Sequence, residues 1–186
     1  MKVFKFGGTS VGSPERIKNV SKLVSNDEPK IVVLSAMSGT TNNLVEIADY
    51  YAKKNSAAAF DRITELENKY KKVIDELLAT KEYKDKALDY SKKVFSHLRS
   101  FSGKDFSIIQ EKDILAQGEL LSTHLFTYLN HELGIDTVLL PALDYMKVDE
   151  LGEPLLGLIE KDLAKMLAVY PGKKTICNAR IYLSQS

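Results

Sequence analysis

The sequence has one cysteine, almost no net charge and no long apolar run, and each of these absences excludes a class of protein. The single cysteine, Cys177, permits no intrachain disulfide and no cysteine-rich metal site. The 26 basic and 25 acidic side chains leave a formal charge of +1, which gives no electrostatic reason to expect nucleic acid or an anionic membrane as a partner. No stretch approaches the ~20 apolar residues that span a bilayer. We therefore expect a cytoplasmic, reducing setting, with no nucleic-acid and no membrane partner.

The order of predicted elements is that of an α/β protein. Residues 3–6 and 31–34 are short runs of strand-forming residues, and a helix predicted to begin at Ser13 and Pro14 lies between them. The second run, Ile-Val-Val-Leu, is apolar without alternation, which predicts a strand covered on both faces. Strand, helix and strand in this order predict two parallel strands joined by a right-handed crossover. The expected architecture is a layered α/β sandwich.

The middle of the chain is predicted to be helical. Residues 44–101 are highly charged, and their apolar positions recur at helical spacing. We interpret two apolar stripes as the inner faces of a helical hairpin packed beside the sheet. The stripes are Leu66, Tyr70, Val73 and Leu77 on one helix and Leu88, Val94, Phe95 and Leu98 on the other. The pattern further predicts a helix over 111–133, a strand over 137–140, a helix over 158–170 and a last strand over 180–184.

A pair of glycines follows the first strand directly. Residues 5–11 read Lys-Phe-Gly-Gly-Thr-Ser-Val, and the predicted helix comes next. Glycines let the backbone turn sharply and present N–H groups to anionic oxygens, and a following helix adds the positive end of its dipole. Lys5 would place an ammonium over a phosphoryl group. Neither the Walker pattern nor Gly-x-Gly-x-x-Gly is present. Taken alone, a glycine pair is more often a simple turn, with Lys5 an edge-strand lysine.

Small and hydroxyl-bearing residues follow the second strand. They occupy residues 35–42, at the carboxyl end of a buried strand, where α/β sheets bind their ligands. Their hydroxyl groups suit a small polar ligand. The alternative is that Thr41 or Asn42 only caps a helix beginning at Leu44.

Glu119 stands out on local grounds, because its neighbours on the predicted helix are largely apolar. Gly118 precedes it, although glycine costs about 1 kcal/mol relative to alanine inside a helix. A glycine there would let another segment approach the helix backbone. A partly buried carboxylate needs a cation, and an unpaired one would be costly. From the residues alone, that cation is either a lysine or arginine of this protein or a group on a ligand.

Three of these segments resemble, in the same order, the aspartate kinases of the amino acid kinase family. They are residues 5–11, residues 33–42 (Val-Leu-Ser-Ala-Met-Ser-Gly-Thr-Thr-Asn) and residues 117–123 (Gln-Gly-Glu-Leu-Leu-Ser-Thr). Relatives that act on acetylglutamate, glutamate or uridylate have related glycine loops but lack the Gly-Gly-Thr-Ser string. The resemblance covers nearly the whole chain. It implies an α/β fold, a three-layer αβα sandwich with a mainly parallel sheet and a helical insertion at about 44–107.

The resemblance implies transfer of a phosphoryl group from ATP to the side-chain carboxylate of L-aspartate. The product would be 4-phospho-L-aspartate, the first step toward lysine, threonine and methionine. The carboxylate is already anionic near neutral pH, so no strong general base is needed. Mg2+ would arrive with ATP, and no metal site of the protein's own is predicted. The implied phosphate-binding residues are Lys5, which is also catalytic, Gly7, Gly8, Thr9 and Ser10, and the implied aspartate-binding residues are Ser35, Thr41 and Glu119.

The chain also departs from the aspartate kinase pattern. That pattern continues with an Arg-Gly-Gly-Ser-Asp segment and an acidic, glycine-containing nucleotide-binding stretch, and neither occurs here. We therefore expect residues 1–186 to be the N-terminal portion of the catalytic domain, without the nucleotide-binding half or regulatory domains, and inactive alone. The full-length enzyme is expected to be a homo-oligomer. Two alternatives stay open: another amino acid kinase of the acetylglutamate type, and a noncatalytic scaffold or binding fragment.

Overall fold

The computed structural model describes residues 1–26, 28–149, 151–170 and 175–179. Its centre is a sheet of parallel strands in the order β1-β2-β4-β3. Parallel pairing of the first two strands confirms the predicted strand-helix-strand opening. The strands are β1 (Lys2–Phe6), β2 (Lys30–Leu34), β3 (Thr137–Leu140) and β4 (Thr175–Ala179).

Helices cover both faces of this sheet. On one face, Val32 and Leu34 of β2 share a core cluster with residues of α1 and α5. On the other face, Ile31 and Val138 pack against α6 and α7. Alternate residues of a strand point to opposite faces, so a run of apolar residues supplies both cores. The predicted three-layer α/β fold is confirmed. The helices are α1 (Pro14–Leu23), α2 (Thr40–Ala52), α3 (Ser56–Leu77), α4 (Lys81–Arg99), α5 (Ile108–Glu132), α6 (Ala142–Tyr145) and α7 (Leu156–Ala168).

The helical hairpin consists of α3 and α4, joined by residues 78–80. It packs on α1, α2 and α5, and its inner residues belong to the same core cluster as Val32 and Leu34. The first predicted stripe is buried, but the second is wrong at Leu88, which is 38% exposed. Ala87 and Ser91 are buried instead, because they share one helix face with the other inner residues of α4. The hairpin is thus an extension of the main core.

Other differences from the predicted pattern are local. The helix α2 begins at Thr40 rather than at Leu44, because Gly39 adopts a left-handed conformation (φ 77°) and starts the helix earlier. Leu23, the last residue of α1, is exposed, while Val24 directly after it is buried. The strand predicted over 180–184 lies outside the described residues, whereas β4 was not predicted.

Cys177 lies on β4 and is fully buried, with its sulfur 3.8 Å from the carbonyl oxygen of Thr123. This position agrees with a structural role. Within the described ranges, no group of three or more His, Cys, Asp or Glu side chains is placed to hold a metal ion. No helix in that part of the chain combines the length and the apolar character needed to cross a membrane.

Candidate active site

The ammonium of Lys5 lies over the start of residues 7–12, which we call the glycine loop. Lys5 is exposed on β1, opposite Val33 of β2, and strand alternation puts it on the other face from Phe6. A Cβ atom built on Gly7 would be 3.6 Å from the Lys5 Nζ atom. The side chain therefore bends over the end of the strand and brings its positive charge to the loop.

The glycine loop makes tight turns before α1 begins. The amide of Ser10 donates to the Gly7 carbonyl (2.9 Å) and the amide of Gly12 to the Thr9 carbonyl (3.3 Å). Thr9 and Ser10 are exposed on the rim. The N-terminus of α1 is capped by Ser13, whose hydroxyl accepts from a backbone amide of the first turn. The helix begins at Pro14 after this capping residue, which confirms the start that the sequence predicted.

The glycine loop packs directly against the loop that follows β2. A Cβ atom on Gly8 would lie 2.8 Å from the carbonyl oxygen of Ala36, and one on Gly12 would lie 2.6 Å from the Ser38 Oγ atom. The Ser38 hydroxyl donates to the Gly8 carbonyl at 3.0 Å. Close contact with a backbone atom explains why Gly8 has no side chain. Gly12 was missed by sequence reasoning, although a third glycine in the same short stretch is the signal that would have found it.

We call residues 35–41 the acceptor loop. The amide of Ser35 donates to the Phe6 carbonyl at 3.1 Å, which extends the pairing of β1 and β2 and holds Ser35 beside the glycine loop. Thr41 lies half-buried in the first turn of α2. The capping alternative for Thr41 is wrong, because the N-cap residue is Gly39 and no side chain caps it. The buried Thr40 hydroxyl lies 3.0 Å from the Tyr70 hydroxyl of α3.

Gly118 allows α5 to approach the acceptor loop. A Cβ atom built there would lie 2.8 Å from the Ala36 Cβ atom, 3.1 Å from Leu44 and 3.2 Å from Thr40. The sequence predicted a close approach at this glycine. The structure identifies the approaching segment as the acceptor loop and the first turns of α2.

A methyl group at Gly118 is therefore expected to destabilise the fold. Gly118→Ala gains about 1 kcal/mol of helix propensity, but overpacking against three neighbours costs up to ~3 kcal/mol, leaving a net loss of about 2 kcal/mol. Gly157→Ala on α7 is the matched control, because nothing lies within 4 Å of its added Cβ. Urea denaturation measures both variants. A Gly118→Ala protein as stable as wild type would contradict the packing.

Glu119 is almost completely buried, with 2% of its surface exposed, and it lies beside Tyr70. Burial raises the pKa of the Tyr70 phenol, and the charge of the neighbouring Glu119 raises it further. Tyr70 therefore keeps its proton and can donate a hydrogen bond. Tyr70 was predicted only as a core residue, because its helix carries no motif.

The structure brings most of the predicted site residues to the carboxyl edge of the sheet. Lys5, Gly7 and Gly8 form one side, and Ser38 joins that side to the acceptor loop. Gly118 approaches the acceptor loop from α5, and the buried Glu119 is the next residue on that helix. This arrangement offers a cation and close-packed glycines for an anion, and α5 adds a buried carboxylate. The individual roles of these residues stay predictions.

The profile of the amino acid kinase family matches residues 1–178. The chain belongs to the amino acid kinase family. Among curated relatives, aspartokinase 1 of Arabidopsis thaliana, named chloroplastic, is 31% identical over 138 residues, covering 72% of this chain and 24% of the relative. The bifunctional aspartokinase/homoserine dehydrogenase 2 of the same plant, also named chloroplastic, is 25% identical over 192 residues, covering 96% of this chain and 20% of the relative.

A solved member of the family has the same fold. Aspartokinase III of Escherichia coli, determined with lysine and aspartate, superimposes with a TM-score of 0.80 at 20% identity, over 96% of this chain and 40% of that chain. Its complex with aspartate and ADP gives a TM-score of 0.77 at 21% identity. This chain thus spans a fifth to a quarter of the two plant relatives and two fifths of the E. coli enzyme.

Proposed function

We propose that the protein is an aspartate kinase, which transfers the γ-phosphoryl group of MgATP to the β-carboxylate of L-aspartate. The observation that carries the proposal is the direct contact between the glycine loop and the acceptor loop, made by the Ser38 hydroxyl on the Gly8 carbonyl. This contact holds a site for an anion beside a site for a small polar acceptor. The named relatives support the choice of acceptor, since E. coli aspartokinase III was solved with aspartate and ADP.

In the proposed reaction the residues of the chain position the two substrates and neutralise negative charge. An oxygen of the aspartate β-carboxylate forms a bond to the γ-phosphorus, the bond from that phosphorus to the β–γ bridging oxygen breaks, and ADP leaves. Lys5 faces the negative charge on the transferred group, and Gly7 and Gly8 let the phosphates approach the backbone. Thr9 and Ser10 line the exposed rim of the same loop. Mg2+ belongs to the nucleotide substrate.

The acceptor is held from the other side in this proposal. Ser35 and Thr41 hydrogen-bond the aspartate, and the Glu119 carboxylate pairs with its α-ammonium. Burial strengthens such a pair, because little water screens it at a residue that is 2% exposed. Tyr70 stays protonated beside Glu119, so it does not add a second negative charge.

We further propose that residues 1–186 are the N-terminal portion of a catalytic domain, with a helical insertion at about 44–107. The basis is coverage, because the chain spans 24% of aspartokinase 1 and 40% of E. coli aspartokinase III. The purified 186-residue chain is accordingly expected to show no measurable kinase activity. Robust turnover by this chain, with longer contaminants excluded by mass spectrometry, would contradict that expectation.

The identity of the acceptor is tested with the full-length protein, by which we mean the protein encoded by the complete reading frame. Hydroxylamine traps an acyl phosphate as a coloured hydroxamate, so the assay reports the product directly. We expect hydroxamate with MgATP and L-aspartate and none with N-acetyl-L-glutamate. The reverse preference would favour the acetylglutamate-type alternative, and no hydroxamate with either acceptor would favour a noncatalytic scaffold.

Two further properties belong to this proposal. We propose a reducing, cytoplasmic setting, which the single buried cysteine suits, although two plant relatives are named chloroplastic. We also propose that the full-length enzyme is a homo-oligomer. Fractionation of the source cells and light scattering of the purified full-length protein test these two statements.

A further inference from the structure

A lysine of the helical hairpin reaches the acceptor loop. Lys69 lies on α3, half-buried, and its ammonium donates to the carbonyl oxygen of Ser38 at 2.9 Å. The same nitrogen would lie 3.7 Å from a Cβ atom built on Gly39. A hydrogen bond from a charged donor is stronger than one between neutral groups. Lys69 therefore restrains the loop at the point where it turns into α2.

The conformation of the loop presents this carbonyl to the hairpin. Gly39 has φ 77°, a left-handed value that strains any residue with a side chain. The carbonyl of Gly39 accepts from the Asn43 side chain at 2.6 Å, which fixes the turn from the α2 side. With the turn fixed in this way, the Ser38 carbonyl oxygen faces the Lys69 ammonium.

Ser38 is therefore held from two directions. Its carbonyl is bound by Lys69 of the hairpin, and its hydroxyl donates to the Gly8 carbonyl of the glycine loop at 3.0 Å. The next residue along α3, Tyr70, contacts Thr40 through its hydroxyl at 3.0 Å. Two consecutive residues of the hairpin thus contact the acceptor loop on either side of Gly39.

We propose that Lys69 is a positioning residue for the acceptor, acting through the acceptor loop rather than on the substrate itself. This inference rests on the proposed function for the identity of the acceptor, but the ordering of the loop by Lys69 does not depend on it. Without the ammonium, the Ser38 carbonyl loses its charged donor, and the residues next to Thr41 gain freedom. Small displacements of positioning groups reduce productive binding strongly.

The hairpin lysine is tested by Lys69→Met, which keeps an apolar stem and removes the charge. Lys72→Met is the matched control, because Lys72 is exposed on the same helix and forms no hydrogen bond or ion pair within the described residues. The first readout is amide hydrogen exchange in the full-length protein. We expect exchange in a peptide covering residues 37–43 to become about tenfold faster, with peptides from α1 and β3 unchanged.

Kinetics supply the second readout. Lys69→Met is expected to raise the aspartate KM about tenfold and to leave the ATP KM within about twofold, while Lys69→Arg keeps a cationic donor and restores the aspartate KM. Faster exchange throughout the protein would overturn the proposal in favour of general destabilisation. A raised aspartate KM with unchanged exchange would overturn it in favour of direct substrate contact, and no change in either would overturn it outright. If the wild type transfers no phosphoryl group to aspartate, the proposed function fails, and exchange alone decides the role of Lys69.

Discussion

Lys5→Ala is expected to lower kcat of the full-length protein on the order of 10²–10³-fold, with a much smaller effect on KM. The Lys5 ammonium lies over Gly7 at the end of β1, and in the proposed reaction it faces the charge that develops on the transferred phosphoryl group. A preorganised charge of this kind stabilises the transition state more than the bound substrate, so its loss falls mainly on kcat. Steady-state kinetics with saturating ATP and aspartate measure the effect.

Lys2→Ala is the matched control for Lys5. Lys2 lies on the same strand, and its ammonium forms an exposed ion pair with Glu28 at 2.6 Å. Exposed pairs contribute little to stability, and Lys2 lies at the opposite end of β1 from the glycine loop, so kcat should hardly change. A near-normal kcat for Lys5→Ala would reject the phosphoryl role and return Lys5 to the status of an edge-strand lysine.

Glu119→Gln is expected to raise the aspartate KM by about 10- to 150-fold. The substitution keeps the shape of the side chain and removes its charge, and hydrogen bonds to charged groups contribute roughly 1.5–3 kcal/mol. The ATP KM should change little, because the proposed phosphate-binding residues lie on the glycine loop. Glu111→Gln, in the first turn of the same helix, makes the same chemical change away from the acceptor loop and should leave both constants near wild type.

Two measurements on the Glu119 variant separate a substrate role from a structural one. The side chain is almost completely buried beside Tyr70, so its removal from a structural pair would lower stability by ~3–5 kcal/mol. A large fall in the denaturation midpoint with an unchanged aspartate KM would therefore reject the substrate role. A raised aspartate KM with a nearly normal midpoint is the expected pattern.

The glycines of the site show which features could be predicted from the sequence and which could not. Gly8 was expected to present its backbone N–H group to anionic oxygens, and Gly118 was expected to let another segment approach its helix. The sequence did not predict that both glycines pack against Ala36, because these contacts connect segments far apart in the chain. Long-range packing decides such contacts, and local patterns do not contain it.

The hairpin residues could not have been found from local patterns. Lys69 and Tyr70 lie on an ordinary amphipathic helix, and their contacts join residues 31 and 30 positions apart. A lysine next to an apolar stripe is usually a solvated surface residue. Only the packing of α3 against α2 brings these two residues to the acceptor loop.

The predicted start of α2 was wrong for a different reason. Thr40, Thr41 and Asn42 are all good capping residues, so the sequence favoured a helix beginning after them. In the structure Gly39 adopts φ 77° and the Thr40 hydroxyl turns inward to Tyr70, which starts the helix at Thr40. A buried hydrogen bond to a distant residue outweighed the local preference.

The measurement that tests the central claim most directly follows an isotope through the reaction. L-Aspartate labelled with 18O in its side-chain carboxylate is incubated with MgATP and the full-length protein, and 31P NMR observes the product. We predict an acyl phosphate resonance carrying the isotope shift of a bridging 18O, because the β-carboxylate attacks the γ-phosphorus directly in the proposed reaction. Release of unlabelled inorganic phosphate with no acyl phosphate, under conditions where ATP is consumed, would contradict it.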